Sequence, residues 1–395
     1  MKVVLAYSGG LDTSVAIKWL QDKGHDVVTF TAELGQNENL GEIKKKAESI
    51  GAKSYIKDLR REFVNDYVFP AIKANALYEG VYPLGTALAR PLIAKHLVKI
   101  AEKENASAVA HGCTGKGNDK VRFEVTIKAL NENLNIISPM VELGLSREEE
   151  IEYAKKHGIP VPVKKESPYS VDENLWGRSV ECGILEHPEE EPPEDAFEWT
   201  SGIENTPDKA ERIEIEFKSG VPSKLNNDAM DGVSLVSKLN EIAGKHGVGR
   251  LDHMEDRIIG LKTREVYEAP AAVVLLSAHN DLQKLCLTAN ENLFREVVER
   301  KWAYLAYSGL WMDPLREDLQ AFIDKVNEKV TGSVKIKLHK GSCRVVGRKS
   351  ENAIYDLNLA TYGKKDVFDQ KASDGFTELW GLQSRIARKI RKRKT

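Results

Sequence analysis

Hydrophobic residues in the first part of the chain follow two alternating patterns: short runs typical of strands, and longer stretches with helical periodicity. The periodic stretches predict helices at 13–23, 38–50, 60–77, 88–104, 119–130 and 147–157. The short runs predict strands at 2–7, 26–32, 53–57, 106–111 and 134–138. Because at least one helix separates each strand from the next, the pattern predicts an α/β fold with a mostly parallel sheet and helices on both faces.

The regular alternation stops near Pro160, and a stretch rich in proline and glutamate at 187–193 predicts an exposed connection. Beyond it the pattern is that of an α+β domain. Strands are predicted at 213–217, 256–262, 271–277, 334–338 and 343–347, and helices at 234–243 and 314–330. The patterns divide the chain into three regions, at 1–165, 166–365 and 366–395.

The last region is strongly basic, since seven of the ten residues from Arg385 to Lys394 are lysine or arginine. Leu382, Ile386 and Ile390 recur every four residues, which predicts an amphipathic helix. A basic helix can bind a membrane or nucleic acid, but a solvated terminal helix or an oligomerisation arm is the favoured interpretation.

Composition narrows the classes of protein to which the chain can belong. The 58 lysines and arginines against 60 aspartates and glutamates give a net charge of −2, so there is no bias towards nucleic acid. No apolar run is long enough for a membrane helix, and the N-terminus enters a strand at once, so neither a membrane span nor a signal peptide is expected. Four cysteines lie far apart without a Cys-x-x-Cys pair, which predicts reduced thiols in the cytoplasm: Cys113, Cys182, Cys286 and Cys343.

A glycine-rich turn between the first predicted strand and helix is the first candidate for chemistry. Ser8, Gly9 and Gly10 form the turn, and Thr13 and Ser14 open the helix. Free backbone N–H groups at a helix N-terminus bind anions, and paired glycines let the backbone approach an oxyanion closely. The spacing fits neither a Walker A loop nor Gly-x-Gly-x-x-Gly, but Ser-Gly-Gly-x-Asp-x-Ser resembles the pyrophosphate loop of enzymes that split ATP into AMP and pyrophosphate. The alternative is a simple glycine turn with a helix N-cap.

A second glycine-rich loop follows the fourth predicted strand, at the strand end where open α/β sheets bind their ligands. Asn118 and Asp119 cap the helix that follows, and Asn118 shares a helical face with Arg122. An amide and a guanidinium together can hold a carboxylate or ureido group, and Asp119 can accept from an ammonium. The alternative is an ordinary capped helix with an Asp119–Arg122 pair. Cys113 is interpreted as a small packing residue rather than a nucleophile.

Seven segments distributed over the whole chain together resemble the argininosuccinate synthase family. They are Ala-Tyr-Ser-Gly-Gly-Leu-Asp-Thr-Ser (6–14), Leu-Tyr-Glu-Gly-x-Tyr (77–82), Ala-Arg-Pro-Leu-Ile-Ala-Lys (89–95), His-Gly-x-Thr-Gly-Lys-Gly-Asn-Asp-x-Val-Arg-Phe (111–123), Tyr-Ser-x-Asp-Glu-Asn-Leu (169–175), Gly-Lys-His-Gly-Val-Gly-Arg (244–250) and Lys-x-Arg-x-x-Tyr-Glu (262–268). The resemblance implies a Rossmann-like ATP-pyrophosphatase domain, an α+β synthetase domain and a C-terminal helix that supports a homotetramer. It also implies arginine biosynthesis: ATP and Mg²⁺ would serve to ligate citrulline and aspartate through citrullyl-AMP, releasing AMP and pyrophosphate.

The resemblance further implies roles for individual residues. ATP would be held by Ala6, Tyr7, Ser8, Gly9, Gly10, Leu11, Asp12, Thr13, Ser14, Ala32 and Gly112. Aspartate would be held by Thr114, Asn118 and Asp119, and citrulline by Tyr82, Asn118, Arg122, Ser170, Ser179, Glu255 and Tyr267. Asp12 and Arg122 are the candidate catalytic residues. Asp12 either shapes the loop or engages Mg²⁺, so the metal ligands stay open.

The chain departs from the family pattern at a few positions. At Ala87 many members have a serine that would contact citrulline, and further differences lie at Cys113, Lys120 and 176–178. Two other classes of function stay open. Amidating or thiolating enzymes that adenylate their substrates share the first loop, but this chain lacks their N-terminal cysteine nucleophile and their zinc-type cysteine pairs. A nucleotide-binding sensor would need no second substrate site.

Overall fold

The computed structural model describes residues 1–160 and 168–393, and its first half is a parallel sheet covered by helices. The strands are β1 (Lys2–Ala6), β2 (Asp26–Glu33), β3 (Lys53–Asp58), β4 (Ala108–Ala110) and β5 (Asn135–Ile137). The helices are α1 (Leu11–Asp22), α2 (Leu40–Ser49), α3 (Arg60–Phe63), α4 (Phe69–Lys73), α5 (Gly85–Lys103), α6 (Asn118–Leu130), α7 (Pro139–Leu143) and α8 (Arg147–Lys156). The five strands predicted for this half and its α/β class are confirmed.

The strand order is β3-β2-β1-β4-β5, so the chain first extends the sheet on one side of β1 and later on the other. Leu5 of β1 pairs in parallel with Ala110 of β4. Side chains of β1 alternate between the two faces: Val3 and Leu5 pack in the cluster that contains Ile17 of α1, and Val4 packs in the cluster that contains α5. The carboxyl ends of β1 and β4 therefore lie side by side where the strand order reverses, which is the usual ligand position in such sheets.

The second half of the chain forms two antiparallel sheets with helices. Its strands are β6 (Ser170–Asn174), β7 (Gly177–Glu181), β8 (Glu211–Lys218), β9 (Val221–Leu225), β10 (Asp228–Ala229), β11 (Arg250–Asp256), β12 (Lys262–Glu268), β13 (Gly332–His339) and β14 (Ser342–Lys349). Its helices are α9 (Gly232–Lys245), α10 (Pro270–Cys286), α11 (Ala289–Tyr307) and α12 (Pro314–Asn327). The strand orders are β11-β12-β7-β6 and β10-β9-β8-β13-β14. The predicted α+β character of this half is confirmed.

One hydrophobic core joins the parallel sheet to the second half. The same buried cluster contains Val4 of β1, Trp176 between β6 and β7, and Ile213 of β8. Trp176 is fully buried, and its Nε1 donates to the carbonyl oxygen of Pro83 at 2.7 Å. Burying an aromatic side chain contributes about 2–3 kcal/mol, so this contact holds the β6–β7 turn against the start of α5. Residues 1–352 accordingly form one compact unit.

Residues 353–395 form a second compact unit, described as far as residue 393. Its helices are α13 (Leu357–Ala360), α14 (Ala372–Trp380) and α15 (Leu382–Lys392). The terminal helix predicted from the spacing of its isoleucines is confirmed as α15. Within the described part of the chain, no helix combines the length and apolar character needed to cross a bilayer. The region boundaries predicted at 165 and 365 stay predictions.

Two strands predicted in the second half are wrong. Residues 271–277 lie in α10, because a run of alanine, valine and leucine suits a buried helix as well as a buried strand, and Pro270 is favourable at a first helical position. Residues 256–262 contain the turn between β11 and β12, where Gly260 has a φ of +86°. The helix predicted at 60–77 is divided into α3 and α4 by a π-helical turn.

Candidate functional site

The turn after β1 (residues 7–10, here called the glycine turn) presents an uncapped helix N-terminus. Gly9 has a φ of +82°, a left-handed conformation that favours glycine, and a Cβ there would lie 2.7 Å from Cγ1 of Ile43. Gly10 is the N-cap residue of α1, which has no side-chain cap. The first N–H groups of α1 thus have no capping side chain, and the helix dipole adds partial positive charge at the same place. The arrangement suits an anion.

Hydroxyl groups fix the shape of the glycine turn. The hydroxyl oxygens of Tyr7 and Ser14 lie 3.0 Å apart, and Ser14 donates to the carbonyl oxygen of Gly10 at 2.7 Å. The hydroxyl oxygens of Ser8 and Thr13 lie 3.2 Å apart. Ser8 itself is exposed. The turn is therefore held by its own side chains, and the hydroxyl of Ser8 is the exposed one.

The second loop (residues 111–117) packs directly on the first turn of α1. A Cβ on Gly112 would lie 2.7 Å from Cγ2 of Thr13, a distance that only glycine accommodates without a shift. On the other side of β1, Ala32 lies two residues beyond Phe30, which is the β2 partner of Ala6. The structure thus brings the predicted ATP residues from β1, β2 and the second loop to one edge of the parallel sheet.

His111 anchors the start of the second loop. Its Nδ1 accepts from the backbone N–H of Cys113 at 3.3 Å, so its proton lies on Nε2, which donates to Glu124 at 3.3 Å. Lys120 and Ser138 also donate to that carboxylate, at 2.6 and 3.0 Å. The hydrogen bond from His111, with those from Lys120 and Ser138, lowers the pKa of Glu124 to about 2. Burial raises the pKa of the Cys113 thiol, which fits a packing role rather than a nucleophile.

Asp119 lies between two arginines at the start of α6. Arg90 of α5 donates from Nε at 2.8 Å, and Arg122 donates from Nη1 at 2.9 Å. Arg90 also pairs with Asp172 of β6. Burial opposes ionisation of Asp119, but the charges of Arg90 and Arg122 hold its pKa below the usual range, whereas burial raises the pKa of Asp172. Asp119 is thus an ionised group with both oxygens fixed.

Four buried side chains, here called the tyrosine cluster, lie beyond this ion pair: Tyr82, Glu255, Tyr267 and Tyr307. Tyr267 donates to Oε2 of Glu255 at 2.6 Å, and Tyr307 donates to Oε1. The ring of Tyr82 stacks on that of Tyr267, with centres 4.3 Å apart. Burial raises the pKa of all three tyrosines, so their hydroxyls keep their protons and act as donors.

Asn118 and Arg122 connect the second loop to the tyrosine cluster. Asn118 donates from Nδ2 to the hydroxyl of Tyr307 at 2.8 Å, and Arg122 donates from Nε to the carbonyl oxygen of Tyr307 at 2.9 Å. The buried Nη2 of Arg122 has no hydrogen-bond partner among the residues that the structure describes. A buried donor left unpaired costs about 1–3 kcal/mol, so this nitrogen is suited to receive an acceptor from a ligand.

Antiparallel register places the other citrulline candidates on one face of a sheet. Ser179 pairs with Tyr267 on one side and with Asp172 on the other. Ser170 lies two residues before Asp172 and therefore faces the same way. Glu255 is four residues along β11 from the partner of Tyr267, so it shares this face. The structure thus brings these candidates together, with Ser170 at the exposed end.

Two other candidates, Thr114 and Asp12, are placed less closely, as is Ala87, where the chain departs from the family pattern. Thr114 is exposed in the second loop, and Ala87 is fully buried in α5. Asp12 lies partly buried in the first turn of α1, next to the glycine turn. In the ranges that the structure describes, no three His, Cys, Asp or Glu side chains are grouped to hold a metal ion.

Sequence reasoning missed four residues that complete this arrangement: Tyr78, Arg90, Asp172 and Tyr307. The first three lie inside segments that carry the family resemblance, so a signal for them was present in the sequence. Tyr307 lies in no such segment. It is the last residue of α11, and its ring stacks on that of Tyr78 with centres 3.4 Å apart. Only the tertiary structure brings it to the site.

Two family models cover most of the chain. Residues 2–160 match the arginosuccinate synthase N-terminal HUP domain, and residues 169–387 match the arginosuccinate synthase C-terminal domain. An argininosuccinate synthase of Geobacillus sp. (strain WCH70) is 56% identical over 386 residues, which cover 98% of this chain and 96% of the relative. One from Pyrococcus furiosus is 56% identical over 389 residues, covering 98% and 94%. One from Dehalococcoides mccartyi is 53% identical over 387 residues, covering 98% and 95%.

Proposed function

Because the chain belongs to the argininosuccinate synthase family, we propose that it joins citrulline to aspartate in arginine biosynthesis, with conversion of ATP to AMP and pyrophosphate. The observation that carries the proposal is the contact between the two glycine-bearing segments at Thr13 and Gly112. The helix that follows the second loop then reaches the tyrosine cluster through Asn118 and Arg122. A nucleotide held by the loops would therefore lie next to a polar, buried amino-acid site.

The nucleotide would occupy the edge of the sheet formed by Ala6 to Ser14, Ala32 and Gly112. The uncapped N-terminus of α1 suits the pyrophosphate part of ATP, because its N–H groups point towards an anion. Asp12, in the first turn of α1, is the carboxylate that would hold Mg²⁺ together with phosphate oxygens and water, and the ion would offset the charge of the leaving pyrophosphate.

The reaction needs activation because the ureido carbon of citrulline is a poor electrophile with no good leaving group. Attack of the ureido oxygen on the α-phosphorus of ATP would form citrullyl-AMP and release pyrophosphate. The amino group of aspartate would then attack the ureido carbon, and AMP would leave with the former ureido oxygen. Donors fixed around the developing negative charge would stabilise both steps.

The site offers both a carboxylate and a guanidinium to the charged groups of the two amino acids. Glu255 offers a carboxylate for the ammonium group of citrulline, and the unpaired nitrogen of Arg122 offers a donor for a carboxylate or ureido oxygen. Tyr82, Tyr267, Ser170 and Ser179 would complete the citrulline site. Aspartate would bind at Thr114, Asn118 and Asp119.

An isotope experiment tests the proposal directly. The protein is incubated with Mg-ATP, aspartate and citrulline labelled with ¹⁸O at the ureido oxygen, and the products are analysed by mass spectrometry. We expect AMP, pyrophosphate and argininosuccinate, with the ¹⁸O label in the phosphate of AMP. Release of ADP, absence of turnover, or unlabelled AMP would contradict the proposal.

The rival functions make different predictions in the same assay. A nucleotide sensor would bind ATP without turnover, and an amidating or thiolating enzyme would not depend on aspartate. The buried polar residues of the tyrosine cluster next to the loops argue against a sensor, because a sensor would need no second substrate site. The family membership favours the ligase.

The exposed apolar stripe of the terminal helix supports a homotetramer. The side chains of Leu382, Ile386 and Ile390 are 43%, 49% and 50% exposed, and a stripe of this kind is usually covered by a partner. Truncation at Gly381 is expected to lower the mass measured by light scattering, and an unchanged mass would contradict the proposal.

A cytoplasmic location is supported by four free cysteines, and cell fractionation would test it.

A further inference from the structure

Tyr307 stands at the centre of the contacts between the two proposed amino-acid sites. Its side chain is fully buried, and the centre of its ring lies 3.4 Å from that of Tyr78 and 4.8 Å from the guanidinium carbon of Arg122. None of the motifs that indicate the family includes it. Its hydroxyl and its carbonyl oxygen nevertheless contact three residues assigned to substrates, namely Asn118, Arg122 and Glu255.

Glu255, Tyr307 and Asn118 are linked by a series of hydrogen bonds. The groups at the two ends of this series determine the direction of each bond. A carboxylate at Glu255 can only accept, so the hydroxyl of Tyr307 must donate to it. The oxygen of that hydroxyl then accepts, and Asn118 must present its NH₂ group to it. At the other end, the backbone N–H of Ile258 donates to Oδ1 of Asn118 at 2.9 Å. Both ends therefore impose the same orientation on the Asn118 amide.

The backbone around Tyr307 fixes Arg122 in the same way. The carbonyl oxygen of Tyr307 accepts from Nε of Arg122 at 2.9 Å. Two residues later, Gly309 has a φ of +75°, and a Cβ there would lie 2.8 Å from Cα of Arg122. The end of α11 thus packs against the turn of α6 that carries both Asn118 and Arg122.

We propose that Tyr307 is a positioning residue that couples the citrulline site at Glu255 to the aspartate site at Asn118. It does so by fixing the orientation of the Asn118 amide, which is assigned to both substrates. This inference rests on the proposed function. Its consequence is that the hydroxyl of Tyr307 supports the binding of both amino acids, although it need not touch either of them.

The substitution Tyr307→Phe tests the role of the hydroxyl alone, since the ring and the backbone bond to Arg122 are retained. We expect the KM values for citrulline and aspartate each to rise about ten-fold, with the KM for ATP unchanged. Tyr304→Phe is the matched control, because Tyr304 lies one turn earlier on α11 and is 48% exposed. It is expected to leave all three KM values within two-fold of the wild type. Thermal melts of both variants verify that they fold.

A double-mutant cycle tests whether Tyr307 acts through Asn118. In an Asn118→Ala background, adding Tyr307→Phe should raise the KM for aspartate no further, because the residue that it orients is gone. Independent effects that multiply would overturn the inference. A Tyr307→Phe variant with wild-type KM values would also overturn the inference. The same holds for a variant in which the KM values for citrulline, aspartate and ATP change equally. A wild-type protein without AMP release would instead contradict the proposed function, so the two failures are distinguishable.

Discussion

The glycine turn and the tyrosine cluster are built in different ways. The glycine turn is a continuous stretch at the start of α1, and what it offers a ligand is mainly backbone N–H groups held in place by nearby hydroxyls. The tyrosine cluster assembles side chains from β11, β12, α11 and the segment before α5, which are far apart in the sequence. One region is local and built on the backbone, and the other is distributed and depends on side chains.

This difference predicts different responses to substitution. In the glycine turn, binding depends on space and on free N–H groups, so a small steric change should weaken nucleotide binding with little effect on folding. In the tyrosine cluster and its neighbours, the same buried bonds serve both the site and the core. Removal of one partner there leaves another buried polar group unpaired, so activity and stability should fall together.

The largest effect is expected for Arg122→Ala. The substitution removes one of the two arginines that pair with Asp119 and the donor to the carbonyl oxygen of Tyr307. We expect the free energy of unfolding to fall by about 3 kcal/mol, since a buried ion pair loses one partner. Turnover should fall by about 100-fold or more. Urea denaturation and steady-state assays measure the two losses.

Arg348→Ala is the matched control for this substitution. Arg348 makes a bidentate ion pair with Asp281. Its geometry is as good as that of the buried Arg122–Asp119 pair, but the side chain of Arg348 is 42% exposed. Loss of an exposed pair should cost about 0.5 kcal/mol and leave turnover unchanged. If Arg122→Ala lost activity and kept its full stability, the distinction between the two regions would be wrong.

The next largest effect is expected for Gly112→Ala, which lies in the second loop beside the glycine turn. The added Cβ would lie 2.7 Å from Cγ2 of Thr13, so the second loop and α1 must move apart. We expect the KM for ATP to rise about ten-fold, with a change in stability below about 1 kcal/mol. The KM for citrulline should not change.

Gly115→Ala provides the control within the same loop, because a Cβ there would meet nothing within 4 Å. It is expected to match the wild type in all three KM values. A higher KM for ATP in both variants would mean that the loop needs flexibility rather than space at Gly112. Equal losses of stability in Gly112→Ala and Arg122→Ala would erase the contrast between the regions.

The fold was predictable where sequence periodicity is unambiguous. Four of the five parallel strands contain short apolar runs, β3 is a more polar segment between two helices, and the predicted ranges overlap all five strands. The run at 271–277 was misassigned because a helix buried on most sides has no polar face to reveal its period. The hairpin at 256–262 was misassigned because apolar residues occupy its turn, although Gly260 marks it.

The site was predictable to the extent that it is local. The residues of the glycine turn and second loop could be found from spacing at a strand end, which fixes their geometry. Single residues such as Glu255 and Tyr267 carried no signal of their own and came from the family resemblance. Tyr307 was missed altogether, because its place depends on how α11 packs on α6, which no short segment encodes.

The smallest effect is expected for Glu124→Gln, which tests the anchoring of the second loop. Glu124 accepts from His111, Lys120 and Ser138 and holds the loop from the side of α6. Its side chain is 29% exposed, so solvent screens these contacts, and we expect a loss of about 1 kcal/mol near neutral pH. The contacts of Glu124 thus share a property with each region. They are local in sequence, like the glycine turn, but they depend on a charged side chain, like the tyrosine cluster.

The pH dependence of that loss identifies its cause. The hydrogen bond from His111, with those from Lys120 and Ser138, lowers the pKa of Glu124 to about 2, against an ordinary value of 4.5. The carboxylate therefore stabilises the folded state fully above pH 4.5, and this contribution is lost as the pH falls towards 2. The difference in unfolding free energy between wild type and Glu124→Gln, measured by urea denaturation, should be constant from pH 7 to about 5 and shrink below that. A difference that does not change with pH would show that packing, not the charge of Glu124, anchors the loop.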